Sequence, residues 1–202
     1  MGETASSDFL VLRKLLYGEN ALIVSGLSPE FGTLAFLVRG AAGGPHRSFP
    51  ELDLFRLLHV EFVLGKGELH RVTSASLLED FGALANSLPA YNAACWIANL
   101  SLRNVMPMLP HPHFSNAVEV ALRRLAHGGV CTDAVLTGVC LAFLFEEGWL
   151  AHAVTTPEAT EQCRQILEMA AGNPPPAITE ESWAAQLAWA KELLLLNDCK
   201  LP

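Results

Sequence analysis

The sequence predicts an α+β chain, with a five-stranded β-barrel over residues 1–80 and an all-helical domain over residues 81–202. Three observations carry that prediction. The hydrophobic period changes near residue 80, from short β-type runs to helical spacing. The first part holds five apolar runs separated by turn residues at short intervals. The second part holds helical runs framed by start and stop residues.

The strands come in order. Phe9–Leu16 ends at Tyr17-Gly18-Glu19-Asn20, and Ala21–Leu27 ends at Ser28-Pro29-Glu30-Phe31-Gly32. Thr33–Ala41 runs into the glycine-rich loop Gly40–Ser48. Leu52–Leu64 meets Gly65-Lys66-Gly67, and Glu68–Ala75 follows. Alternation in Ala35–Arg39 and His59–Phe62 is imperfect, so these strands are expected to be half buried or more. Five short antiparallel strands in ~70 residues leave exposed edges unless they close on themselves. The oligonucleotide/oligosaccharide-binding (OB) barrel has this size, and an SH3-like barrel is the structural alternative.

The helices follow. Pro89–Leu102 repeats Tyr91, Ala94, Cys95, Ala98 and Leu102 at helical spacing. Ser115–His127 is stopped by Gly128-Gly129. Asp133 is expected to cap Ala134–Phe145, which Gly148 closes. Pro157 opens Glu158–Ala171 with Thr155 or Thr156 as cap, and Asn173-Pro174-Pro175-Pro176 breaks the chain. Thr179 precedes two acids and a last helix to about Leu196.

Composition narrows the function. Apolar residues make up 51% of 202 and charged residues 17%, enough to bury a core. The longest mainly apolar run, Val135–Phe145, is far short of the ~20 residues a membrane span needs, and no membrane partner is expected. The first residues carry two acids and no base before Arg13, unlike a secretory signal, so a cytoplasmic location is expected. Cys95, Cys131, Cys140, Cys163 and Cys199 form no C-x-x-C pair and read as reduced thiols. The net charge of −8 does not favour nucleic acid in bulk, but a field depends on where charges are placed.

Several residues then point to a family. Tyr17-Gly18-Glu19-Asn20-Ala21 resembles the turn after the first strand of the RecO family of bacterial DNA-repair and recombination mediators. Leu27-Ser28-Pro29-Glu30-Phe31-Gly32 is similar to that family's Leu-Thr-Pro-Glu-x-Gly turn, and Val38-Arg39-Gly40-Ala41 to its Val-Lys-Gly-Ala-Arg strand end. The loop through Arg47 and Phe49, the strand Leu52–Phe62 and Ala75-Ser76-Leu77-Leu78-Glu79-Asp80-Phe81 follow in the family's order. Leu136–Gly148 is similar to the helix before its metal site. Many members carry a four-cysteine zinc site there. Here residues 148–176 offer only Cys163 and His152, so neither zinc nor any other cofactor is expected.

The resemblance implies binding of single-stranded and duplex DNA, annealing of complementary strands, and help in loading recombinase onto strands coated by single-stranded-DNA-binding protein. It implies RecR as a partner. The candidate DNA-binding residues are Arg39, Arg47, Lys66, Arg71 and Lys14. Arg13 alternates with Lys14 and faces the other way. Aromatic stacking partners are scarce: Tyr17, Phe31 and Phe49 are placed at turns and are expected to plug the core. Arg103, Arg123 and Arg124 are the candidate cluster for the acidic, apolar C-terminal tail of single-stranded-DNA-binding protein, with Leu122 or Leu125 as the apolar neighbour.

No enzyme is expected. Gly40–Gly44 lacks the lysine and Ser/Thr of a phosphate-binding loop, and no nucleophile-elbow signature is present. His111-Pro112-His113 reads as loop, and Cys95 and Cys140 as inert helical thiols. The competing reading is an interaction adaptor that keeps the family fold with weak or no DNA binding. Its grounds are the net charge of −8, with seven bases against ten acids in residues 1–80, and the absence of the four-cysteine zinc motif.

Overall fold

The structure is a computed structural model that describes residues 3–40 and 49–202. It divides the chain into one unit of Met1–Gly82 with Val105–His111 and a second of Ala83–Asn104 with Pro112–Pro202.

The first unit is a closed barrel of five strands in the order β1-β2-β3-β5-β4, the OB fold. The strands are β1 Thr4–Tyr17, β2 Ala21–Ser28, β3 Gly32–Arg39, β4 Arg56–Val63 and β5 Leu69–Asp80. β1 serves two neighbours: Thr4–Leu10 pairs antiparallel with β4, and Leu10–Tyr17 with β2. A bulge between Val11 and Arg13 turns the strand from one partner to the other. β3 pairs along its whole length with β2 but meets β5 in parallel at only Ala35–Leu69 and Phe36–His70. The barrel is closed by β4 against β5, from Arg56–Asp80 to Val63–Arg71.

β3 alternates cleanly by burial, with Leu34, Phe36 and Val38 inward. Its imperfect alternation in sequence arises because the outward side chains of Thr33, Ala35 and Leu37 are themselves half covered. Phe9, Phe36 and Phe62 fill the interior edge to face, with centroids 4.9 and 5.3 Å apart, and Phe31 meets Phe62 at 5.5 Å. Each such pair contributes ~0.5–1.5 kcal/mol beyond its buried area. Phe31 and Phe49 pack on this core as expected of plugs. Tyr17 does not: it is exposed beside Leu15 and Leu16, because β1 runs past the end of β4 there.

A short segment from the helical half of the sequence belongs to the barrel. Val105–His111 lies on the turn between β2 and β3, where Met108 N–H donates to Phe31 O (2.8 Å) and His111 N–H to Pro29 O (3.0 Å). Thr33 Oγ1 donates to Val105 O (3.1 Å). Gly32 makes this possible: its φ is +61°, and a Cβ there would sit 2.3 Å from Met106 O.

The second unit is helical: α1 Leu88–Asn104, α2 Pro112–His127, α3 Thr132–Glu146, α4 Leu150–Ala153, α5 Pro157–Ala170 and α6 Glu180–Leu196. α3 is its centre. Ala134–Leu144 are buried without interruption, so the apolar run is a core helix packed on by α2, α5 and α6. Cys131, not Asp133, occupies the N-cap of α3 and makes no side-chain cap. Asp133 sits in the first turn, where it faces the positive end of the helix dipole. Thr156 caps α5 through Ala159 N–H and Thr179 caps α6 through Ser182 N–H. Gly128 and Gly129 end α2 with φ of +74° and +88°. No helix among the described residues is long and apolar enough to cross a membrane.

Candidate nucleic-acid interface

The short pairing of β3 with β5 creates the most promising site. Beyond Phe36 and His70 the two strands diverge, and no ladder joins Leu37–Arg39 to β5 among the described residues. The gap is a groove of about 530 Å³. Its walls are apolar, from Leu37, Val38, Val63, Leu64 and Val72, with Phe49 at φ +55° beside them. Arg39 from β3 and Arg71 from β5 both line it, although they lie far apart in sequence.

Charge placement singles out this end of the barrel. Lys14 Nζ is bonded to Asp53 Oδ1 at 2.7 Å, and Arg56 Nε to Asp80 Oδ2 at 2.9 Å. Burial alone would push the Asp53 carboxyl up. The hydrogen bonds from Lys14 and Leu54 N–H, with the fields of Lys14 and Arg56, outweigh it and hold the carboxyl below its ordinary value. Those two cations are thus engaged. Arg39, Arg71, Lys66 and Arg13 are exposed and make no ion pair among the described residues. Lys66 stands on the β4–β5 hairpin whose Gly65 lines the groove. The structure therefore brings Arg39 and Arg71 together with Lys66 near them, and takes Lys14 away. Arg47 lies outside the described residues.

His70 is the groove residue that sequence reading missed. It is buried, between Phe36 and Phe62, and lines the groove beside Arg71. Gly65 N–H donates to its Nδ1 at 3.1 Å. Burial pushes the ring below its ordinary value, so it is neutral near pH 7 and its proton sits on Nε2. A signal was available: His70 and Val72 share the inward register of β5, between exposed Leu69, Arg71 and Thr73.

The second predicted cluster is not assembled as a docking site. Arg103 Nη1 donates to Leu201 O (3.2 Å). Arg124 Nη2 donates to Asn173 O, and burial lowers the guanidinium from its ordinary value. Arg123 is half-buried. Leu122 and Leu125 are buried in the helical core, so neither offers an apolar surface beside these arginines. An apolar groove of about 360 Å³ does lie elsewhere in this unit, lined by His113, Phe145, Arg164 and Leu167. His113 packs edge-on against Phe145, while the His111 ring is within 2.9 Å of Leu109 O, so the two histidines form no common site.

Among the described residues no three His, Cys, Asp or Glu side chains gather as a metal site. Cys163 is buried on the apolar face of α5 and His152 is exposed on α4, which does not fit the tetrahedral cage a zinc ion requires. Burial pushes the Cys140 thiol up to about 12 and the Cys199 thiol up to about 11, so neither is a nucleophile near neutral pH.

Residues 1–81 match the family described as Recombination protein O N terminal. The chain is similar to the DNA repair protein RecO of Myxococcus xanthus (strain DK1622), 28% identical over 77% of this chain and 61% of that protein. It is similar to the DNA repair protein RecO of Anaeromyxobacter sp. (strain K), 33% identical over 59% of this chain and 47% of the relative. With the DNA repair protein RecO of Nostoc punctiforme (strain ATCC 29133 / PCC 73102) it shares 28% identity over 91% of this chain and 58% of that protein. The chain spans about half the length of these curated relatives.

Proposed function

We propose that the chain is a DNA repair protein of the RecO family, to whose N-terminal model residues 1–81 match, and that it binds DNA at the barrel groove. Arg39 and Arg71 contact phosphates, and Lys66 extends the track along the hairpin. The observation that supports this reading is the convergence of two exposed, unpaired guanidinium groups on one groove while neighbouring cations are neutralised by carboxylates. Guanidinium groups suit phosphate because their planar fork donates two parallel hydrogen bonds. Arg47, outside the described residues, is a further candidate.

The same arrangement suits strand annealing and recombinase loading on coated strands. Neither needs a catalytic side chain. Annealing requires two strands held close with their phosphate repulsion partly neutralised. RecR and the tail of single-stranded-DNA-binding protein are the expected protein partners. For the tail, the groove of His113, Phe145 and Leu167 offers the exposed apolar surface that the Arg103, Arg123 and Arg124 cluster lacks, although its Arg164 is already paired with Glu161 and Glu168.

Titrating a labelled oligonucleotide with the full chain at several salt concentrations tests the DNA reading. Two or three phosphate contacts to a single strand give a log–log slope of about −1.5 to −2. Absence of binding at ~50 mM salt, where such contacts are strong, supports the adaptor reading instead.

A further inference from the structure

The floor of the barrel groove carries a feature that phosphate binding does not use. His70 is buried, its Nδ1 accepts Gly65 N–H, and its Nε2–H has no hydrogen-bond partner among the described residues. An unpartnered donor on a residue that lines an apolar slot suits an acceptor on a flat, largely apolar group. The rim, with Arg39 and Arg71, calls for an anion joined to that group. A nucleobase on its phosphodiester backbone meets both demands within a single nucleotide, whereas an acidic peptide needs a backbone carbonyl and a separate side-chain carboxylate to do so. We propose that the groove receives one unstacked nucleobase of a single strand, with His70 Nε2–H donating to a ring acceptor and Phe49 beside the base. His70 is buried within the slot, so a base still paired in a duplex cannot reach it without leaving its stack.

This rests on the proposed phosphate contacts, and its test separates the two. The full chain is titrated at ~50 mM salt with a labelled oligothymidine and with a strand of equal length whose bases are replaced by abasic tetrahydrofuran. One well-held base is expected to give about tenfold tighter binding of the oligothymidine. Two variants locate the effect. His70→Asn keeps an acceptor for Gly65 N–H, and its shorter side chain leaves the amide N–H short of the Nε2 position. Leu37→Trp fills the slot from β3 while leaving His70 and both arginines in place. Each is expected to bring the two affinities within about twofold, chiefly by weakening the oligothymidine, with folding checked by circular dichroism. If a variant fails to fold, the wild-type comparison with duplex DNA still decides: the single strand must bind tighter than the duplex of equal length. Equal wild-type affinity for thymidine and abasic strands overturns the base slot. So does a tenfold preference that survives in folded His70→Asn and Leu37→Trp. If Arg39→Glu/Arg71→Glu abolishes binding of both strands while wild type binds them equally, the phosphate reading stands and only the slot is lost. If the wild type binds neither strand, both fall.

Discussion

On the barrel, Arg39 and Arg71 line a groove with no ion-pair partner among the described residues, whereas in the helical unit Arg103 and Arg124 donate to carbonyl oxygens of their own chain. The residue type is the same and the net charge of both regions is acidic. What differs is whether the guanidinium is already satisfied. Arg124 is also half-buried, with Nη1 enclosed and unpartnered, so its charge is costly to expose to a ligand without unpicking the end of α5. Capacity for phosphate is thus set by unengaged cations that share a surface, and a chain of net charge −8 can possess it locally.

The largest expected effect breaks that contrast directly. Arg39→Glu/Arg71→Glu should weaken oligonucleotide binding by roughly 10²-fold at ~50 mM salt and flatten the salt slope, as loss of two phosphate contacts requires. Arg103→Glu/Arg123→Glu should change the same affinity by less than about threefold. Equal losses in the two double variants would erase the distinction between the clusters. Next, Gly65→Ala should destabilise the barrel by about 2 kcal/mol. Its Cβ would fall 2.1 Å from Leu69 O, deforming the hairpin that presents Lys66 and holds His70, as read from urea unfolding. Arg124→Met should cost about 1 kcal/mol by removing the bond to Asn173 O, while oligonucleotide affinity stays within twofold.

The smallest effect concerns pH. The folded His70 ring titrates below its ordinary value of 6.5, so the unfolded chain binds its proton more readily. The resulting stability is present above about pH 6.5 and is lost as pH falls through the lowered folded value. Melting temperatures of wild type should therefore drop more between pH 7.5 and 5.5 than those of His70→Asn. Parallel curves would show that His70 is not enclosed as described.

Much of the barrel was legible because each strand carries its own inward face and each turn its own glycine or proline. Leu27–Gly32 is an example: Gly32 and Pro29 mark a turn whatever lies around it. The site was legible only in part. Arg39 read as a strand-end cation and Arg71 as an extension of its track, but nothing local says that β3 and β5 run parallel and separate after two paired residues. Lys14 looked equally available because its partner, Asp53, lies far along the chain. Leu122 and Leu125 looked like surface anchors beside Arg123 and Arg124, since one helix's period does not tell how many neighbours cover it. The cap position of α3 fell to Cys131 because the helix begins at Thr132, so that Thr132 and Asp133 both lie inside its first turn.

The strap formed by Val105–His111 has a bearing on how this polypeptide can be divided. A fragment cut after Gly82 would leave the carbonyls of Pro29 and Phe31 and the hydroxyl of Thr33 to solvent, and would strip the cover from Gly32. Any recombinant or evolutionary shuffling that moves the barrel must carry seven distant residues with it, so the genetic unit of inheritance is longer than the strands it encodes.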